Sequence, residues 1–521
     1  MRFEPRTETG IDFVYQNDEA ADRSAILEMA GGGVALLDFD RDGELDVFLP
    51  GGGKYSGERA LTGLPSGLFR NVGNWRFSNC AAAALVEHSR VWSNGTAVGD
   101  IDNDGFPDLL VTGYGGLQFF RNQGDGTFAE TAEATGLSDS LWSTSAAFGD
   151  VNGDGCLDLY VAHYVDWSFD NDPFCPAPDG RRERCPPQRY EGLPDVLYMS
   201  RGDGSFDDAS KAAGLRSDGK GLGVAMADFD VDGDLDIYVA NDTVPNFLYL
   251  NDGLGHFTEA GVERGVALND RGRPDGSMGI AVGDFNNDGL PDIWVTNYEQ
   301  ESIAVYRNLG EGYFEHVSQA AGVTDVGNLF VGFGTTFFDA DRDGDEDAFV
   351  TNGHVLRFPR NAPVREMPLL FENRDRGRFH NVGQEAGTYF ATPHVGRGVA
   401  RGDFDRDGDL DLVATSIGEP PTLLVNRSDN TNRWLEVRLI GRQSNRDAVG
   451  ARLILETTTG RQVRQITGGE SYLSHHDRRV FWGIPAGAEI KDLRIEWPSG
   501  ISQQVRAPEA GQTMDAIEPR S

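Results

Sequence analysis

The chain has 521 residues and a formal net charge of -37, from 83 acidic and 46 basic side chains. That balance disfavours nucleic acid and anionic membrane surfaces as partners and favours cations or a basic protein surface. No apolar run approaches the roughly 18 to 20 residues of a membrane helix, so membrane insertion is not expected.

The first ten residues, MRFEPRTETG, lack the basic and apolar regions of an export signal. The first acidic segment, DFDRDGELD, begins at Asp38. Its pattern, Asp-x-(Asp/Asn)-x-Asp-Gly-x-x-Asp, returns at Asp100, Asp150, Asp228, Asp284, Asp339 and Asp403, at intervals of 62, 50, 78, 56, 55 and 64 residues. Each copy matches the first nine positions of a calcium loop, in which oxygens at positions 1, 3, 5, 7 and 9 converge on one ion and glycine at 6 permits the turn. The cation would offset carboxylates that otherwise repel one another by a few kcal/mol at about 4 Å.

About seven Ca2+ ions are therefore expected. The ligands of the first three loops are Asp38, Asp40, Asp42, Glu44 and Asp46; Asp100, Asp102, Asp104, Phe106 and Asp108; and Asp150, Asn152, Asp154, Cys156 and Asp158. The fourth and fifth use Asp228, Asp230, Asp232, Asp234 and Asp236, then Asp284, Asn286, Asp288, Leu290 and Asp292. The last two use Asp339, Asp341, Asp343, Asp345 and Asp347, then Asp403, Asp405, Asp407, Asp409 and Asp411. Position 7 ligates through its backbone carbonyl, which makes Phe106, Cys156 and Leu290 acceptable there and leaves the Asp234 side chain spare. Asn152 and Asn286 keep an oxygen but lose a charge, so their loops should bind more weakly. An EF-hand is excluded, because position 12 holds residues such as Leu49 and Val111 and a β-like run follows each loop.

Around each loop a longer unit repeats: a Gly-rich strand such as GVAMADFD, the strand after the loop, a third such as NFLYLNDG, and a fourth opened by a GDGTFAE-type turn. Four short strands in about sixty residues describe a propeller blade. Phe77, Phe128, Phe206, Phe257, Phe314 and Phe379 open the fourth strands of blades one to six, and blade seven has no such segment. The N-terminus fits the template with Phe3 in place. The expected fold is all-β: a seven-bladed β-propeller over residues 1–430, closed by the N-terminal strand, and a small β-sandwich-like domain over 431–521.

These repeats resemble the FG-GAP/VCBS repeats of integrin-α-type propellers, which implies calcium in the blade hairpins. Beyond residue 430, NRDAVGARL, GGESYLS, VFWGIP and IEWPSG resemble the ASPIC/UnbV domain. Together the two parts resemble the bacterial relatives of cartilage acidic protein, a family in which calcium binding and a recognition or adhesion role are implied.

The loops would share one face, and the other would carry the mouth of a central channel. The residues expected there are Glu28, Trp92, Asn94, Trp142, His163, Tyr164, Asn241, Asp242, Asn297, Tyr298, His354, His394 and Arg397. Two readings compete. In the first, the protein is a calcium-stabilised scaffold that recognises a protein or glycan, with a single chain sufficing. In the second it is a lyase, cyclase or hydrolase using His163, His354 and His394 as an acid-base or metal set; independent bonding of each histidine is the simpler expectation. His475 and His476 are a weak metal signal. Cys175 and Cys185 leave open a local disulfide or two reduced loop thiols. Calcium availability favours an extracellular or periplasmic home, against the missing signal.

Overall fold

The structure is a computed structural model that describes the chain except for Asn361, Asp429, Asn430 and Ser521. The expected domain boundary at residue 430 thus falls outside the described residues. The fold is all-β and propeller-like. The fourth repeat illustrates the unit: Gly221–Ala227, Asp236–Asn241, Phe247–Asn251 and Phe257–Glu259 form an antiparallel meander.

Its sequence explains its packing. The second strand, DIYVAN, is apolar at successive positions because both of its faces are covered. Ile237 and Val239 pack with residues of the preceding repeat such as Leu159 and Val161, while Tyr238 and Ala240 pack with Ile280 and Ile293 of the following one. The first strand, GLGVAMA, carries small residues because the first strands of successive repeats lie side by side.

Among the described residues, seven sheets each contain four antiparallel strands of this kind. In six of them the fourth strand comes from the same repeat, with one register throughout: Asn71 faces Phe77, Asn122 Phe128, Ser200 Phe206, Asn251 Phe257, Asn308 Phe314 and Asn373 Phe379. In the seventh, the third strand (Glu419–Asn426) pairs instead with Phe3–Arg6, and Asn426 faces Phe3. The first strand of repeat one (Ala35–Leu37) lies beside that of repeat seven (Gly396–Gly402).

The C-terminal part folds into two sheets. Arg433–Ile440 pairs antiparallel with Val480–Ile484 and parallel with Gln512–Ile517. Arg452–Thr457 lies between Arg461–Gln465 and Ile490–Glu496, and Ser502–Arg506 completes that sheet. Leu435, Leu453, Trp482 and Ile495 form one continuous core with Phe148, Met226 and Leu235 of the repeats. This part is therefore bound to the propeller by buried apolar surface.

Between the C-terminal strands, residues 468–477 run down the middle of the repeats and touch the first strand of each. Leu473 O approaches Gly33 and accepts the Thr96 N–H, and Leu473 N–H donates to Ser145 Oγ. Gly468 and Gly469 pair with Met226 and Ala225, and Ser471 bridges Ile280. Tyr472 meets the Phe333 ring at 4.9 Å, and Ser471 Oγ donates to Val399 O. The space expected as a central channel is filled by this segment.

Candidate functional site

In all seven acidic loops the backbone is left-handed at positions 4 and 6. Position 4 is Arg41, Asn103, Gly153, Val231, Asn287, Arg342 or Arg406, and position 6 is glycine throughout. This geometry folds the loop so that its carboxylates face inward and collect its own amides. The position 1 aspartate accepts the glycine N–H, at 3.0 Å for Asp38 and 2.7 Å for Asp100. The position 5 aspartate accepts the N–H of position 7, as Asp42 does from Glu44 at 2.9 Å. The position 9 aspartate ties the loop to the sheet: Asp46 accepts Asn71 N–H at 2.8 Å, and Asp236 accepts Asn251 N–H at 2.9 Å.

One carboxylate oxygen from each of Asp100, Asp102 and Asp108 lies within 4.8 Å of the others. The same convergence holds for Asp228, Asp230 and Asp236, for Asp339, Asp341 and Asp347, for Asp403, Asp405 and Asp411, and for Asp38, Asp40 and Asp42. Asp38 Oδ1, Asp230 Oδ1 and Asp403 Oδ1 are buried with no hydrogen-bond partner among the described residues. A buried, unpartnered carboxylate oxygen is costly unless something positive meets it, so the donor set fits a hard, oxygen-seeking divalent cation. The third and fifth loops carry one carboxylate fewer, with Asn152 and Asn286 turned to the Asp154 and Asp288 amides.

Counting only the protein's own charges, burial pushes the Asp46 and Asp108 carboxyls up to about 8. Asp100, Asp228 and Asp403 reach about 7, from burial first and neighbouring carboxylates second.

Two features of the loops escape the sequence pattern. The side chain at position 7, expected to be spare, often meets position 4 of the preceding loop: Asn287 donates to Asp345 at 2.6 Å, Arg342 pairs with Asp409 at 3.1 Å, and Arg406 pairs with Glu44 at 3.4 Å. The asparagine that ends the third strand also reaches back one repeat. Asn122 donates to Phe39 O, Asn251 to Val151 O, Asn308 to Phe229 O, Asn373 to Phe285 O and Asn426 to Ala340 O. The recurring FRN, YLN and YRN triplets mark these asparagines in the sequence but not the carbonyls they reach.

The C-terminal domain covers the loop face. Gly483 N–H donates to Asp339 Oδ2 at 3.0 Å, Gln465 exchanges hydrogen bonds with the Asp228 backbone, and Arg446 stands 3.6 Å from Asp100.

The opposite face is also covered. Cys175 and Cys185 form a disulfide that closes a hairpin lying across it. Arg184, from that hairpin, donates to Val355 O and stands 3.5 Å from Glu28. Glu183 accepts the amides of Arg357 and Phe358. Glu28, Trp92, Asn94, Trp142, Tyr164, Asn241, Asp242, Asn297 and Arg397 are all buried, and Tyr298 is half-buried.

The three histidines are held separately. His163 bonds Pro194 O at 2.6 Å and Asp139 at 2.7 Å; burial opposes its protonation, but the Asp139 carboxylate outweighs burial and raises its pKa. His394 bonds Glu419 at 2.9 Å and stacks on Tyr389. His354 Nδ1 accepts the Leu356 N–H, and its Nε2 has no hydrogen-bond partner among the described residues, with Glu299 at 3.7 Å. Among the described residues, none of them enters a convergent metal-ligating group. His475 and His476 lie in the central segment, where burial holds both well below the ordinary histidine value. Arg201, which begins the Arg201-Gly202-Asp203 turn before the fourth strand of repeat three, pairs with Asp207 at 2.6 Å.

An FG-GAP-like repeat model matches residues 38–111, 100–161, 190–239, 228–295 and 284–350, together more than half of the chain. The loop at Asp403 lies outside those matches yet shows the same bonding. An ASPIC and UnbV model matches residues 441–521. Cartilage acidic protein 1 of Homo sapiens is 26% identical over 337 residues, covering 63% of this chain and 48% of that protein. Its Xenopus tropicalis counterpart is 26% identical over 382 residues, 60% of this chain and 57% of that one. The chain thus spans about half the length of the curated relatives it matches. Among solved structures, a Burkholderia pseudomallei lectin aligns at a TM-score of 0.45 with 12% identity, over 77% of this chain and 97% of that one. An Agrocybe aegerita lectin that recognises terminal N-acetylglucosamine aligns at 0.39 with 18% identity, over 67% and 79%. By its repeats and its C-terminal domain, the chain belongs to the FG-GAP-like repeat family with an ASPIC/UnbV domain, and it is homologous to cartilage acidic protein 1.

Proposed function

We propose that the chain is a seven-bladed propeller over residues 1–430, closed by its N-terminal strand, with a C-terminal domain over 431–521. Its seven loops bind structural calcium through the side-chain oxygens at positions 1, 3, 5 and 9 and the carbonyl at 7, and the whole presents a recognition surface for a protein or glycan. The observation that carries this reading is the convergence of buried loop carboxylates with unpartnered oxygens at Asp38, Asp230 and Asp403. The pairing of Phe3–Arg6 in the seventh sheet supports closure. An extracytoplasmic location is supported by the Cys175–Cys185 disulfide and by the calcium such loops require.

Because such sites cannot form in the unfolded chain, their ions stabilise the fold. Scanning calorimetry before and after chelation with EGTA tests this. The expected result is a lower Tm after chelation, restored by calcium and not by magnesium; an unchanged melting curve after complete chelation would contradict it.

Catalysis on the face opposite the loops is a second reading. It is favoured by the unpartnered His354 Nε2, which borders a cavity of about 350 Å3 together with Arg184 and Arg397. Its test is loss of turnover in His354→Ala with an unchanged Tm.

A further inference from the structure

Six arginines of this acidic protein line one cleft. Between the loops of repeats one, two and seven and the C-terminal domain lies a cleft of about 560 Å3 lined by Arg41, Arg406, Arg438, Arg446, Arg478 and Arg479, with no lysine. That size suits a small ligand. Two of the guanidinium groups converge on one point of its wall: a Cβ on Gly105 would lie 3.0 Å from Arg41 Nη1 and 2.9 Å from Arg446 Nε. Like charges so placed repel unless an anion lies between or beside them.

The acids of the cleft divide into two sets. Asp447, Asp477 and Asp515 are already engaged by Arg478, Arg479 and Arg438. The remaining three, Asp38, Asp42 and Asp100, belong to the acidic loops. Of the arginines nearest those loops, Arg446 has only the 3.6 Å approach to Asp100, Arg406 leans 3.4 Å from Glu44, and Arg41 lies over the Phe106 ring with no ion pair among the described residues. Once Asp38, Asp42 and Asp100 are committed to divalent ions, the six arginines are left with the three carboxylates already paired to Arg478, Arg479 and Arg438, so the cleft carries guanidinium groups in excess of the acids that face them.

We propose that this cleft binds a small multivalent anion carrying carboxylate, sulfate or phosphate groups, and that it does so when the loops hold calcium. The guanidinium fork matches the paired oxygens of all three groups. The inference rests on the calcium reading of the loops and assigns that scaffold a ligand class and a place to bind it.

The full chain is titrated calorimetrically in 1 mM calcium with digalacturonate, a heparin-derived disaccharide and inositol hexakisphosphate, with cellotetraose as the neutral control; bound calcium is measured on the same preparation. At least one anion is expected to bind and cellotetraose not to, and which anion binds identifies the group recognised. The variant Arg41→Asn/Arg438→Gln, which keeps a residue suited to the left-handed backbone at 41 and removes only an exposed ion pair at 438, should weaken binding at least tenfold with bound calcium and Tm unchanged. Flat titrations with all three anions on calcium-loaded protein would overturn the inference alone. Protein that takes up no calcium would overturn the loop reading, and the inference with it. Binding that survives in the double variant would place the anion elsewhere and also overturn it.

Discussion

At the scale of single residues, the loops combine strain with chemistry. Position 4 is left-handed in every loop, and in the fourth it is Val231, at a φ of 62°. A β-branched residue is poorly suited to that region, whereas asparagine, present at positions 103 and 287, tolerates it. Val231→Asn should therefore raise stability by about 1 kcal/mol, seen as a higher Tm with unchanged calcium content; a lower Tm would show that the valine side chain contributes more than its backbone costs.

The carboxylates also predict how stability follows pH. Asp46 and Asp108, raised by burial to about 8, lie far above the unfolded carboxylate value of about 4. A group raised in this way contributes stability that is fully present below the unfolded value and is lost as pH rises through the folded one. Chelated protein should thus lose Tm between pH 4 and 8. Calcium favours the ionised carboxylates and should flatten or reverse that slope while releasing protons on binding near neutral pH. Equal slopes with and without calcium would contradict this account of the loops.

The seven acidic loops and their glycine turns were legible because charge and glycine recur at fixed spacing. The partners of position 7 and of Asn122, Asn251 and Asn308 were not. Those bonds cross from one repeat to another, and a pattern within one repeat carries no record of its neighbour.

At the scale of elements, the meander was legible for the reason that makes it stable: a strand covered on both faces, such as DIYVAN, is apolar throughout. The hydrophobic run and the turn residues that bound it are local. The central segment was not legible, since GGESYLSHHD has no strand period and its partners lie in seven different repeats. Its effect does appear in and just before the first strands, where glycines stand at the closest approaches. A Cβ at Gly33 would lie 2.0 Å from Leu473 O, a backbone atom that cannot move aside alone. Gly33→Ala should destabilise the protein by about 1–3 kcal/mol, in the range of overpacked cores. A denaturant midpoint equal to that of the parent chain would mean that residues 468–477 do not occupy this position in solution.

At the scale of the whole molecule, the loops stand between two large surfaces. On one side they link neighbouring repeats through contacts such as Asn287–Asp345 and Arg406–Glu44. On the other they meet the C-terminal domain through Gly483, Gln465 and Arg446. On the calcium reading, a cation in each loop would offset part of the charge that opposes both associations. That the second domain would sit over the loops was beyond the sequence, because docking is decided by shape and by single bonds, not by period or composition.

The most direct test of this account is elemental analysis by inductively coupled plasma mass spectrometry on protein purified without added metal or chelator. The account predicts about seven calcium ions per chain, with the loops of Asn152 and Asn286 the first to empty on dialysis. A chain that carries no calcium and takes up none on addition would contradict it.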